Sequence, residues 1–224
     1  MLTVSTKNIL QCRHCQQILI YDVRMTEDDL KSRCLARAFD ELDSGRISEL
    51  SLRAIARALD VSHQAPYRHF KSKDDLLTAL SCECFKHFSE HLNARTRGEN
   101  EWEGLRLMGL AYIRYAVSYP HRYRLMFNEH HNGFALTGEA LKQAQHSFLL
   151  LRDQLGLIAK LNQSAQHIDP QADAMFIWSS LHGLVSLLEN PLTDKLPVRE
   201  SVLKNLVDHV LDRIGTGIQP RSEA

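Results

Sequence analysis

Side chains able to hold a nucleic-acid backbone are concentrated between Ser51 and Lys73 of this 224-residue chain. Five fixed cations lie there (Arg53, Arg57, Arg68, Lys71, Lys73) against one acid, Asp60. Tyr67, His69 and Lys73 are donors of the kind that position a protein on phosphates. Gln64 can bond an adenine edge bidentately, and His63 can reach a base or a phosphate. A second set of residues has the types for metal chemistry. Cys84, His87 and His91 fall on one helical face at spacings of three and four, with Glu83 alongside. His130 and His131 are adjacent, and Cys12-x-x-Cys15 encloses His14. Imidazole and thiolate groups so spaced can bind zinc or nickel. A structural zinc takes four ligands, however, and one C-x-x-C supplies two. Histidines on a connecting helix are more often half-exposed fillers. No H-E-x-x-H, no carboxylate pair with a base and no glycine-rich phosphate loop occurs, so neither an enzyme nor a metal or other cofactor is expected.

The basic stretch also carries the signals that would position it. Ser51 is a good N-cap for a helix with Leu52, Ile55, Ala56 and Leu59 at helical spacing. Asp60-Val61-Ser62 breaks that pattern, and Asp is among the few non-glycine residues that tolerate a left-handed turn. Ser62 can cap a second helix, His63 to Phe70, presenting His63, Gln64 and Ala65 outward. Pro66 disturbs that helix, because it removes the first intrahelical bond, so the segment starts late or opens as a 3₁₀ turn. Ser72 has Asp75 three residues on, a capping box opening the next helix with Leu76, Leu77 and Leu80 inside. Ser51, Ser62 and Ser72 thus mark three helix starts, where free N–H groups favour an anion. Such a helix-turn-helix reads base edges in the major groove with the start of its second helix.

The motif I-A-x4-V-S-x4-Y-x-H-F-x2-K-x2-L comprises Ile55-Ala56, Val61-Ser62, Tyr67, His69-Phe70, Lys73 and Leu76. It resembles the DNA-binding domain of the TetR family of transcriptional regulators. That family usually has glycine where this chain has Asp60. The resemblance implies a three-helix N-terminal domain, a larger helical ligand-binding domain, and a homodimer that leaves its near-palindromic operator in double-stranded DNA when a small-molecule inducer binds. It also implies phosphate contacts by Tyr67, His69 and Lys73, and base reading around Gln64. The DNA-binding set expected is Ser51, Arg53, Ser62, His63, Gln64, Ala65, Tyr67, Arg68, His69 and Lys73.

Fold class is all-α: an N-terminal three-helix helix-turn-helix domain followed by a C-terminal helical ligand-binding and dimerisation domain. Basic and acidic residues balance at 27 each, so cations act locally and DNA affinity should be salt-dependent. Five irregularly spaced cysteines make no disulfide framework, which points to a reducing cytoplasm. No apolar run reaches the length of a membrane span, and no secretory signal is seen. Residues 1–25 match nothing in the family pattern and read as a frayed extension, with Met25 an alternative start. Residues 26–92 form the head, beginning with a helix from about Thr26 to Ser44 that Gly45 ends. Its stripe is Leu30, Cys34, Ala38 and Leu42, with Leu35 and Phe39 beside it, and Cys34 is read as core. The linking helix runs from Lys73 to about Asn93, and polar residues 93–103 form the seam.

Residues 98–214 form the second domain and 215–224 a loose tail. Helices are expected over Leu105–Tyr119, from Pro120, over Gly138–Asn162, from Asp169-Pro170, and over Pro197–Ile214. The last carries Val198, Val202, Leu206, Val210 and Ile214 at four-residue intervals. Trp178-Ser-Ser-Leu-His182-Gly183 and Tyr119-Pro120-His121-Arg122-Tyr123 resemble the W-x-x-x-H-G and Y-P-x-x-Y segments of one C-terminal domain type in the same family. The last two helices are apolar on more than one face, so they are expected to pair with a second copy around a two-fold axis. Tyr112, Tyr115, Phe127, Phe148, Trp178 and His182 are the candidate lining of a ligand cavity, aromatic with a few polar handles.

Overall fold

A computed structural model describes residues 30–94, 98–127, 136, 138–162, 165 and 167–218. Among them are helices α1 (Leu30–Asp43), α2 (Leu52–Ala58), α3 (Lys73–Asn93), α4 (Glu101–Ser118), α5 (Pro120–Phe127), α6 (Gly138–Leu161), α7 (Pro170–Glu189), α8 (Glu200–Lys204) and α9 (Leu206–Ile218), with short 3₁₀ turns at Ile47–Glu49, Pro66–Arg68 and Thr193–Lys195. The all-α class holds, and no strand occurs among the described residues. No helix there is long and apolar enough to cross a membrane. Thr26, Cys12, Cys15, His130 and His131 lie outside the described residues.

The chain divides into two compact units, Tyr21–Ser89 with Tyr119–Gln145, and a second containing Glu90–Ser118 and His146–Ala224. Helix α5, which the sequence groups with the C-terminal half, falls in the unit of the head.

In the first unit α1 buries Cys34, Leu35, Ala38, Phe39 and Leu42 of the expected stripe, while Leu30, its first member, is half-buried. Gly45 ends it at φ +74°, where its N–H donates to the Leu42 carbonyl while the Arg46 N–H donates to that of Glu41. These are the two bonds of a Schellman cap, and the backbone there is left-handed, which glycine adopts without strain. The ring of His121 lies 3.0 Å from where a Cβ on Gly45 would stand. Leu52, Ile55 and Ala56 of α2, with Phe70, Leu76, Leu77 and Leu80, complete the head core. Helix α5 is held to α1 by Arg122, whose guanidinium donates to both carboxylate oxygens of Asp43 at 2.9 and 2.6 Å.

In the second unit α4, α7 and α9 pack on one another. Their shared core includes Leu105, Met108 and Ile113 from α4, Ile177, Leu181 and Leu184 from α7, and Leu211, Ile214 and Ile218 from α9. A Cβ at Gly109 would stand 2.6 Å from the Leu211 side chain, so its absence lets α9 approach α4 closely. Asp169 caps α7 by accepting from the N–H groups of Gln171 and Ala172, with Pro170 in the first turn as expected. The last helix departs from expectation. It breaks at Asn205 into α8 and α9, and α9 continues to Ile218 into the stretch read as tail. Four-residue steps advance the angle by roughly 40° each, so five such positions cannot share one stripe. Val198 and Val202 accordingly stay exposed, and the buried face of α9 is Leu211, Ile214 and Ile218.

Candidate nucleic-acid interface

The reading surface is built from local bonds. Ser51 has extended backbone and its Oγ accepts from the Ala54 N–H at 3.1 Å, opening α2. Helix α2 closes with the same pair of bonds as α1: the Asp60 N–H donates to Arg57 and the Val61 N–H to Ala56. Asp60 sits at φ +52°, the left-handed position foreseen for it. The helix expected over His63–Phe70 is instead a turn through residues 63–65 followed by the 3₁₀ turn Pro66–Arg68. Pro66 has no N–H to donate back to Ser62, so the segment tightens to three-residue bonds, Ala65 N–H to Ser62 O at 2.9 Å and His69 N–H to Pro66 O at 3.0 Å. Ser62 therefore contributes its backbone carbonyl here, and no side chain caps the 3₁₀ turn.

Burial decides which side chains of this segment face solvent. Pro66 and Phe70 face inward, while Ser62, His63, Gln64, Tyr67, Arg68 and His69 are exposed and Ala65 is half-buried. Arg53 and Arg57 are exposed on α2. The Ser72 box forms, with the Asp75 N–H donating to Ser72 Oγ at 3.2 Å and the Asp75 carboxylate accepting from the Lys71 N–H at 3.0 Å. Lys73 is placed differently from the free phosphate donor the motif implies. Its ammonium donates to the carbonyls of Ile47 and Ser48 at 3.3 and 3.2 Å, closing the end of the 3₁₀ turn. An ammonium has three donors, so one remains for a phosphate. Arg33 plays a similar part, donating to the Leu59 carbonyl at the end of α2 at 3.2 Å. Neither tie is visible in the sequence, because each joins residues about one helix-pair apart.

Of the candidate ligand residues, five belong to the second unit. Tyr112 Oη and His182 Nδ1 are 3.5 Å apart, and Phe148 and Trp178 stack at 5.3 Å between ring centroids. Tyr115 is fully buried and meets His91 edge-on at 5.7 Å. Burial keeps the His182 pKa below its ordinary value, so the ring stays neutral near pH 7. Phe127 belongs to the other unit, with its ring 4.8 Å from that of Tyr123 and edge-on to Phe85 at 5.6 Å. A cleft of about 570 Å³ opens where α4, α7 and α9 meet, and none of the six candidates lines it.

Cys84, His87 and His91 do not converge on a common point: among the described residues no group of three metal-ligating side chains is placed to hold an ion. Cys84 is buried, and that burial pushes its thiol pKa far up. His87 lies against Tyr119 at 5.0 Å with Nδ1 3.4 Å from the Arg122 guanidinium.

Residues 35–80 match the family described as "Bacterial regulatory proteins, tetR family", and residues 105–213 match "Tetracyclin repressor-like, C-terminal domain". No curated protein matches the chain in sequence. Among solved structures, a protein of unknown function from Rhodococcus sp. RHA1 superposes with a TM-score of 0.71 at 23% identity, covering 88% of this chain and 100% of that one. A tetR-family regulatory protein from Rhodococcus RHA1 gives 0.61 at 16% identity, with 86% and 98% covered. A variant of TetR from Acinetobacter baumannii AYE in complex with minocycline gives 0.55 at 18% identity, with 84% and 95% covered. At these identities the structures speak to the fold.

Proposed function

We infer the mode of action from one premise: this chain belongs to the TetR family of bacterial regulatory proteins and is a DNA-binding transcriptional regulator. We propose that it acts as a homodimeric repressor on a near-palindromic operator, and that a small molecule bound in its C-terminal half releases it. The observation that carries this reading is the one-sided burial of residues 62–70. Pro66 and Phe70 anchor the segment, which leaves His63, Gln64, Tyr67 and Arg68 presented to solvent, with Arg53 also exposed on α2. Gln64 and His63 read base edges, whereas Ser51, Tyr67, His69 and Lys73 hold phosphates.

Dimerisation is supported by α7. Met175, Phe176 and Leu187 are exposed large apolar side chains on the face opposite its buried Ile177, Leu181 and Leu184. Gly183 lies between them in the same stripe, with open space where a Cβ would stand. Val198 and Val202, before and within α8, are likewise exposed. A second copy covering this face sets two reading heads on successive major grooves, about 34–36 Å apart. A ligand then releases DNA to the extent that it binds one head spacing better than the other.

The test is binding to an operator selected from genomic DNA. Gln64→Ala should erase roughly 1–3 kcal/mol of discrimination at one base position while leaving non-specific affinity intact. Tyr67→Phe and Lys73→Ala should weaken all sequences alike. A monomer in sedimentation, or a Gln64→Ala protein with unchanged preference, refutes the assignment.

A further inference from the structure

We propose that the cleft between α4, α7 and α9 is the effector site of this regulator, and that it takes a small monocation with an apolar tail. The proposal rests on the repressor reading above and names the ligand class for it. The cleft's volume of about 570 Å³ is in the range of small-molecule sites. Its floor is apolar, formed by Leu105, Ile177, Leu181, Leu211 and Ile214, with Trp102 at the side. The polar groups are confined to the rim. Arg106 reaches from α4 to α9 and donates to Asp208 at 2.7 Å and to Asp212 at 3.4 Å. Glu103, one turn before Arg106, also lines the cleft and accepts from the Glu99 N–H.

Glu103 and Asp212 line the cleft with Arg106, and Asp208, which holds Arg106 from outside that lining, is a third carboxylate, so these four side chains together carry a net charge of −2. Asp212 is only loosely engaged, and its second oxygen and the spare lone pairs of Asp208 and Glu103 can accept a cation. An anion would meet the repulsion of those groups, and a neutral molecule would gain from the floor alone. The Trp102 ring adds a face that attracts a cation. The site is also connected to the action it controls. Ile177 and Leu181 are on the inner side of α7, and Met175, Phe176 and Gly183 on its outer side, the surface proposed for the second copy. A cation that takes over Asp208 and Asp212 frees Arg106, and with it the ionic tie between α4 and α9. The outer face of α7 and the position of α9 then change together.

The experiment uses the full chain and octyltrimethylammonium as probe, with octanoate as its anionic counterpart, by calorimetric titration. Octyltrimethylammonium should bind at least about tenfold more tightly than octanoate. Asp208→Asn with Asp212→Asn should weaken it by about tenfold, since both carboxylates are largely exposed and their loss leaves the core intact. Arg106→Gln should instead tighten it, because the competing guanidinium is gone. Equal binding of the two probes, or an Arg106→Gln protein that binds the cation no better than wild type, overturns the proposal. Operator affinity measured alongside separates the two readings. A cation that releases operator DNA equally from wild type and from the double Asn variant locates the effector site elsewhere and overturns this inference, while the repressor reading stands. A protein that binds the cation as stated but binds no operator in its absence overturns the repressor reading and the effector role together.

Discussion

Arg122 offers the sharpest test of how the head is held together. Its side chain is only 13% exposed and donates through two guanidinium nitrogens to Asp43. It lies over the Phe39 ring at 4.9 Å and the Tyr119 ring at 4.8 Å. Asp43 is 41% exposed, so solvent screens the pair, and it contributes about 1 kcal/mol rather than the value of a buried one. Each ring contact adds about 0.5–1 kcal/mol. Arg122→Ala should therefore destabilise the protein by about 2–3 kcal/mol, a fall in Tm of roughly 5–10 °C for a chain of this size. Arg122→Lys keeps the charge but loses the planar fork and its stacking, and should cost about 1–2 kcal/mol. Asp43→Asn should cost about 1 kcal/mol, and a double-mutant cycle with Arg122→Ala should recover a coupling of similar size. Urea unfolding monitored by circular dichroism measures all four. An Arg122→Ala protein within about 0.5 kcal/mol of wild type, or a lysine variant indistinguishable from it, shows that the guanidinium does not hold α5 to α1.

The same geometry sets other outcomes. Phe176→Glu combined with Leu187→Glu should yield a folded monomer with operator affinity reduced by at least about a hundredfold, read by sedimentation and anisotropy. His91, His121 and His182 all have folded-state pKa values below the ordinary imidazole value, burial being the first cause in each case. The unfolded chain then binds more protons than the folded one near pH 6. Unfolding free energy should be flat with respect to these groups above about pH 7 and fall as pH drops through about 6.5; replacing the three with Gln should flatten that slope in urea titrations at pH 5.5 and 7.5. Asp60→Gly should raise Tm by a few degrees, because an exposed left-handed Asp is strained by about 1 kcal/mol while the glycine unfolded state offsets part of that gain. Gly45→Ala should lower stability by at least about 1–2 kcal/mol, since it adds the same strain and a 3.0 Å contact with His121, and calorimetry of both variants gives the comparison.

Elements whose ends are set by nearby residues are legible in the sequence. Ser51 over Ala54, Ser72 with Asp75, and Asp169 over Gln171 and Ala172 each bond within three residues, and Gly45 and Asp60 close their helices within five. A cap of that kind needs only its own turn of chain, so residue type and spacing suffice. Pro66 is legible for the same reason: a missing N–H has a known local consequence. The break at Asn205 is not, because the apolar residues on both sides of it suit a continuous helix.

The candidate site divides along the same line. The exposure of Gln64, Tyr67 and their neighbours is legible in the sequence because it follows from the 62–70 turn. The motif assigns Lys73 to phosphate, yet its ammonium first serves carbonyls 25 and 26 residues earlier. Arg106 and Arg122 carry no local sign of their importance, because their carboxylate partners lie 102 and 79 residues away. In a chain whose charges balance overall, the sum says nothing about placement. Long-range arginine pairs are where such a protein connects helices that its hydrophobic pattern leaves independent. That makes Arg106 and Arg122, rather than the histidines that look reactive in the sequence, the side chains whose replacement should most change how its parts are held.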